Sequence, residues 1–127
     1  MAVQLNHTIV HASDRDATAR FLTEVLGLPA APTFGPFRVV TVANDVSLDV
    51  MQADGEIRAQ HYAFLVSEGD FDEIFERIVA RGLPYWADPG RQRAGEINHG
   101  DGGRVVYWEG PDGHFLEILT VPYGGWR

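Results

Sequence analysis

The feature that most constrains this chain is a long internal repeat that divides it near residue 57. The first half opens with a strand pattern, Val3 to His11. A helix follows, with Ser13 as cap, Asp16 as capping-box partner, and Ala17, Phe21, Leu22 and Val25 as its apolar stripe. It stops at Gly27-Leu28-Pro29. The second half repeats the plan. Gln60 to Ser67 is an apolar strand, and Asp70 caps a helix with Glu73 as its box partner. Phe71, Ile74, Phe75, Ile78 and Val79 form the stripe, and Gly82-Leu83-Pro84 ends it. Two more pairs keep the same order: Arg38–Val42 matches Arg104–Trp108, and Leu48–Met51 matches Leu116–Leu119. The pattern predicts an α+β chain of tandem βαβββ modules, about 1–56 and 57–127, within one domain.

The halves differ at residues 87–103, which hold five glycines and few apolar residues. A long loop is expected there, and long loops in compact domains tend to carry function. The tail, 122–127, reads as irregular.

Composition narrows the chemistry. All ten basic residues are arginine, and the chain has no lysine and no cysteine. That removes Schiff-base and P-loop lysines, thiol nucleophiles, Cys-type zinc sites and iron–sulfur clusters. The net charge of −8 argues against nucleic acid or an anionic membrane as partner. No apolar run approaches the ~18 residues of a membrane span. The N-terminal residues show no signal-peptide pattern, so a cytoplasmic location is expected.

Chemistry is left to histidine, carboxylate and hydroxyl groups, and the repeat sets four of them in corresponding places. His7 and His61 lie in the first strand of each half, and Asp49 and Glu117 in the last. A carboxylate inside the strand Phe115–Leu119 is costly to bury alone and calls for a partner or a cation. Two His and one carboxylate on strands can hold one divalent metal, Fe, Mn, Ni or Zn, with positions left for substrate. The alternatives from spacing alone are structural histidines and a Glu117–arginine ion pair. Asp49 is a candidate fourth ligand, or a rim residue paired with Arg38 or Arg58.

A three-residue loop at Pro111-Asp112-Gly113 sets Gly110 opposite His114, and so Tyr107 opposite Glu117. The Tyr107 phenol is then placed to hydrogen-bond an oxygen near the metal. His99, in the long loop, is a candidate acid/base. His11 and His114 read as structural or exposed.

With these residues in place, the sequence resembles the vicinal oxygen chelate superfamily over essentially its whole length. That group includes glyoxalase I, extradiol dioxygenases, fosfomycin-resistance enzymes and bleomycin-binding proteins. The motifs that carry the resemblance are Leu5–Ile9, Gln60–Phe64 and Tyr107–Glu117. The resemblance implies two βαβββ modules forming a curved mixed sheet around one metal. It implies His7, His61 and Glu117 as ligands, and a homodimer whose sites are shared between chains.

Within the superfamily, His99, Val106-Tyr107, Pro111-Asp112-Gly113 and Glu117 resemble the extradiol pattern. The additional acid/base His of those enzymes would fall near Val46, where this chain has none. The absence of lysine departs from the fosfomycin-resistance pattern. The leading expectation is a metal-dependent, extradiol-type dioxygenase acting on a small vicinal-oxygen substrate. A glyoxalase-like lyase or isomerase is the second. The third is an antibiotic- or metabolite-binding protein without turnover, its cleft lined by Tyr62, Phe64, Trp86, Trp108 and Tyr123.

Overall fold

The computed structural model describes residues 2–125. Met1 and the last two residues of the tail, Trp126 and Arg127, lie outside them. Contacts divide the chain into Met1–Arg58 and Ala59–Arg127, two residues beyond the boundary read from the repeat.

In unit 1, β1 is His7–Ala12, α1 Arg15–Leu26, β2 Thr33–Phe34, β3 Phe37–Thr41 and β4 Ser47–Gln52. The sheet order is β1-β4-β3-β2, with β1 parallel to β4 and the other pairs antiparallel. β1 begins at His7 rather than Val3, because its partner β4 begins at Ser47, the residue facing His7. Val3 and Leu5, which precede the ladder, are exposed. The cap of α1 is Asp14, not Ser13: the Asp14 carboxylate accepts from the Ala17 amide at 3.0 Å. The helix starts one residue later than expected, and its buried stripe is Thr18, Ala19, Leu22, Thr23 and Val25, with Ala17 and Phe21 half-buried. Gly27 ends the helix in the left-handed region at φ 72°, as the Gly-Leu-Pro stop requires. Val10, Val40, Leu48 and Val50 form the core of this unit's sheet.

Unit 2 repeats the architecture. β5 is His61–Leu65, α2 Glu68–Ala80, β6 Tyr85–Trp86, β7 Val105–Glu109 and β8 Phe115–Leu119. The order β5-β8-β7-β6 matches that of unit 1, again with the first and last strands parallel. Ser67, not Asp70, caps α2, its hydroxyl accepting from the Asp70 amide at 3.1 Å. Asp70 falls inside the first turn, where its charge favours the positive helix end. Phe71, Ile74 and Ile78 are buried as expected, whereas Val79 is exposed.

Side chains alternate across the sheet. Val106, Trp108, Leu116 and Ile118 are buried on one face. Tyr85 belongs to that face, opposite Trp108, and packs edge-on against Phe75 of α2. The helix therefore covers this side. His61, Tyr107, Phe115 and Glu117 occupy the other face.

Candidate functional site

The strand registers build the site from the backbone. β7 and β8 pair Tyr107 with Glu117, the relation read from the Pro-Asp-Gly loop. The Gly110 amide bonds the His114 carbonyl at 2.8 Å and closes that hairpin. β5 and β8 pair His61 with Phe115, which places His61 two residues from Glu117 on the same face.

The His61 and Glu117 side chains meet: His61 Nε2 lies 2.9 Å from Glu117 Oε1. His61 Nδ1 lies 3.0 Å from the Phe115 carbonyl oxygen. A carbonyl only accepts, so Nδ1 carries the hydrogen and the ring presents its Nε2 lone pair to a carboxylate oxygen. Two acceptors at that distance call for a proton or a cation between them.

Glu117 is buried at 7% exposure. Burial raises its pKa, and the bonds to His61 and then Tyr107 act against that rise. No arginine among the described residues pairs with it. A buried carboxylate facing an imidazole lone pair is a donor set that fits a divalent cation. His61 and Glu117 would hold such a metal, with the Phe115 carbonyl fixing the imidazole tautomer.

The Tyr107 phenol bonds Glu117. Burial, and next the Glu117 charge, push its pKa up to about 12. Tyr107 therefore keeps its proton at neutral pH and works as a donor. Its ring stacks on Phe115 at 5.6 Å and 12°, and lies 6.1 Å from the His61 ring.

The remaining candidates belong to other elements. His7 and Asp49 are in unit 1, with His7 facing Ser47 and Asp49 two residues further along β4. His7 Nδ1 lies 2.7 Å from Asn6 Oδ1, and Asp49 Oδ1 accepts from the Ser47 hydroxyl at 2.8 Å. Arg38 turns to Asp16 and the Ala31 carbonyl, not to Asp49. Among the described residues, no group of three His, Cys, Asp or Glu side chains comes together as a metal site. His99 precedes the short turn Gly100–Gly102 and influences Glu68, at the start of α2. His114 is buried and structural, its Nδ1 accepting from the Gln60 amide at 3.0 Å. Of the aromatic residues expected in a cleft, Trp86 lies on the site face, opposite Tyr107 in the register. Trp108 is fully buried on the helix side.

Two neighbours went unread in the sequence. Phe115 is two residues from Glu117 on one strand and hence on the same face, a signal the period-two alternation does carry. Arg91 carries no such signal, because its place depends on how the loop is tied. The Asp88 carboxylate accepts from the Gln92 amide at 3.0 Å and the Arg93 amide at 2.8 Å. The Ala87 amide bonds the Arg93 carbonyl at 3.0 Å, and Trp86 bridges to Ala94. Part of the expected long loop is thus a small tied turn.

Comparison with known proteins agrees with this architecture. The family model described as Glyoxalase/Bleomycin resistance protein/Dioxygenase superfamily matches residues 4–118. Among solved structures, "Oxidase ChaP-H1" is 68% identical at TM-score 0.95, over 98% of this chain and all of that one (100%). "Oxidase ChaP-H2" is 62% identical at TM-score 0.95, over 98% of this chain and 99% of that one. A curated relative from Serratia marcescens, "Glutathione transferase FosA", is 30% identical over 93% of this chain and 81% of its own length.

Proposed function

The chain belongs to the Glyoxalase/Bleomycin resistance protein/Dioxygenase superfamily, and from that premise we propose that it is a divalent-metal-dependent oxidase of the extradiol dioxygenase type, acting on a small substrate with vicinal oxygens. The observation that carries the reading is the buried Glu117 carboxylate, set 2.9 Å from His61 Nε2 and bonded by Tyr107 on the sheet face opposite the helix. The choice of oxidation draws on the 68% identity to an oxidase over 98% of this chain.

His61 and Glu117 would hold the metal, and His7, the counterpart of His61 in unit 1, is the proposed third ligand. Its Nδ1 bond to Asn6 leaves Nε2 as the donor lone pair, the same tautomer as His61. The metal would supply Lewis acidity toward the two substrate oxygens. Tyr107, protonated at neutral pH, would orient an arriving oxygen by turning its one O–H from Glu117 to that oxygen. Phe115, stacked on that phenol, gives a planar substrate an apolar ring to lie against.

The test is oxygen uptake by Fe(II)-reconstituted protein with a panel of catechols, beside the Glu117→Ala variant. Oxygen consumption with ring cleavage, lost in the variant, supports the proposal. Oxygen-independent turnover of a hemithioacetal would assign a lyase instead. Oxygen-independent addition of glutathione to an added electrophilic co-substrate would favour transferase chemistry, which the likeness to the Serratia marcescens protein makes the second reading. Stoichiometric ligand binding unaffected by metal removal would make it a binding protein.

A further inference from the structure

Arg91 is a half-exposed residue held in the left-handed region at φ 57°, a conformation that residues other than glycine rarely adopt. The Asp88 ties to the next two amides hold the turn in which it sits. Its guanidinium carbon lies 4.3 Å from the Phe115 ring centroid and 5.3 Å from that of Trp86. Phe115 in turn stacks on Tyr107 and lies 6.0 Å from the His61 ring. A permanent positive charge is therefore carried one ring away from the His61–Glu117–Tyr107 cluster.

The fixed partner of Arg91 is weak. One nitrogen meets Glu109 Oε2 at 3.3 Å, and both side chains are nearly half exposed. Such a pair contributes little, and it engages one of five guanidinium N–H donors. Two aromatic rings lie within cation–π reach of the guanidinium and restrict its motion, which lowers the entropy lost when it binds a carboxylate through two hydrogen bonds.

We propose that Arg91 is a specificity-determining residue that selects substrates carrying a carboxylate on the same planar ring as the vicinal oxygens. The proposal rests on the vicinal-oxygen reading above and names the substrate class within it. The ring lies by Phe115, the oxygens face the His61–Glu117–Tyr107 cluster, and the carboxylate meets the guanidinium. Glu109 acts as a competing anion that a matched substrate displaces.

The experiment is calorimetric titration of the full chain, supplied with Zn(II), with catechol and with protocatechuate, the same diol ring carrying a carboxylate. Wild type is expected to bind protocatechuate roughly tenfold more tightly, the scale of one charge-assisted hydrogen bond. Arg91→Gln is expected to erase that preference, so that the variant binds catechol and protocatechuate alike. Glu109→Gln is expected to enlarge it. A preference that survives in Arg91→Gln overturns the proposal and leaves the vicinal-oxygen reading standing, as does equal affinity for the two ligands in wild type. Failure of wild type to bind either diol overturns both.

Discussion

His61 Nε2 and Glu117 Oε1 stand 2.9 Å apart while His61 Nδ1 faces the Phe115 carbonyl, so an acidic proton or a cation has to bridge two acceptors. A metal held by His61 and Glu117 would take the place of that proton. Zinc affinity should therefore rise with pH through the acidic-to-neutral range, and a proton should be released for each metal taken up. Calorimetry in buffers of different ionisation enthalpy measures that release. Glu117→Gln keeps the shape of the side chain and removes the charge, and it should abolish the tight site. Metal uptake undiminished in that variant would place the site elsewhere.

The helix starts offer a test independent of the metal. The Asp14 carboxylate and Ser67 hydroxyl each accept from a backbone amide of the first helical turn. Asp14→Ala and Ser67→Ala should each lower unfolding stability by about 1 kcal/mol, the usual loss for a helix cap. Asp70→Ala removes a first-turn charge that makes no cap bond, and its effect should be smaller. Urea denaturation of the variants measures the three differences. An Asp70 loss larger than that of Ser67 would restore the boundary first read from the sequence.

Much of the fold was legible because its signals are periodic. The repeat gave the matching strand orders, and the Pro111-Asp112-Gly113 loop fixed Tyr107 opposite Glu117 without coordinates. The caps shifted because Ser13 and Asp14 are both competent, as are Ser67 and Asp70, and only backbone dihedrals choose between them. Residue type likewise singled out His61 and Glu117, whose side chains meet at 2.9 Å. What stayed hidden was Arg91, because its position depends on a positive φ and on bonds to Asp88, neither of which leaves a periodic trace.

Tyr107 should act as a donor and not as a base. Burial and the Glu117 charge raise its pKa to about 12, so it is protonated throughout the neutral range. Tyr107→Phe removes the hydroxyl and preserves the ring that stacks on Phe115. Turnover should fall about 10- to 100-fold, the rate equivalent of losing one hydrogen bond to a charged oxygen. Metal content should be unchanged, and the pH profile should keep its shape, since the lost group does not titrate in that window. A profile that loses a limb near neutrality in the variant would show that Tyr107 ionises during turnover.

Asp88 links pH to the turn that carries Arg91. Its pKa is lowered, first by the hydrogen bond from the Gln92 amide, and also by the Arg93 amide and the Arg93 charge. A carboxyl whose pKa is lower in the folded than in the unfolded state stabilises the fold above the unfolded value. That contribution fades as pH falls through the depressed folded value, so the turn should loosen in acid below about pH 4, the range of an ordinary aspartate. Asp88→Asn should loosen it at neutral pH, because a neutral amide is a weaker acceptor for two amides at once. Hydrogen exchange at Gln92 and Arg93 reads the effect directly, with protection lower in the variant at pH 7 and the two proteins converging in acid. Equal protection at pH 7 would mean that the Trp86–Ala94 bridge and the Ala87–Arg93 bond hold the turn without Asp88.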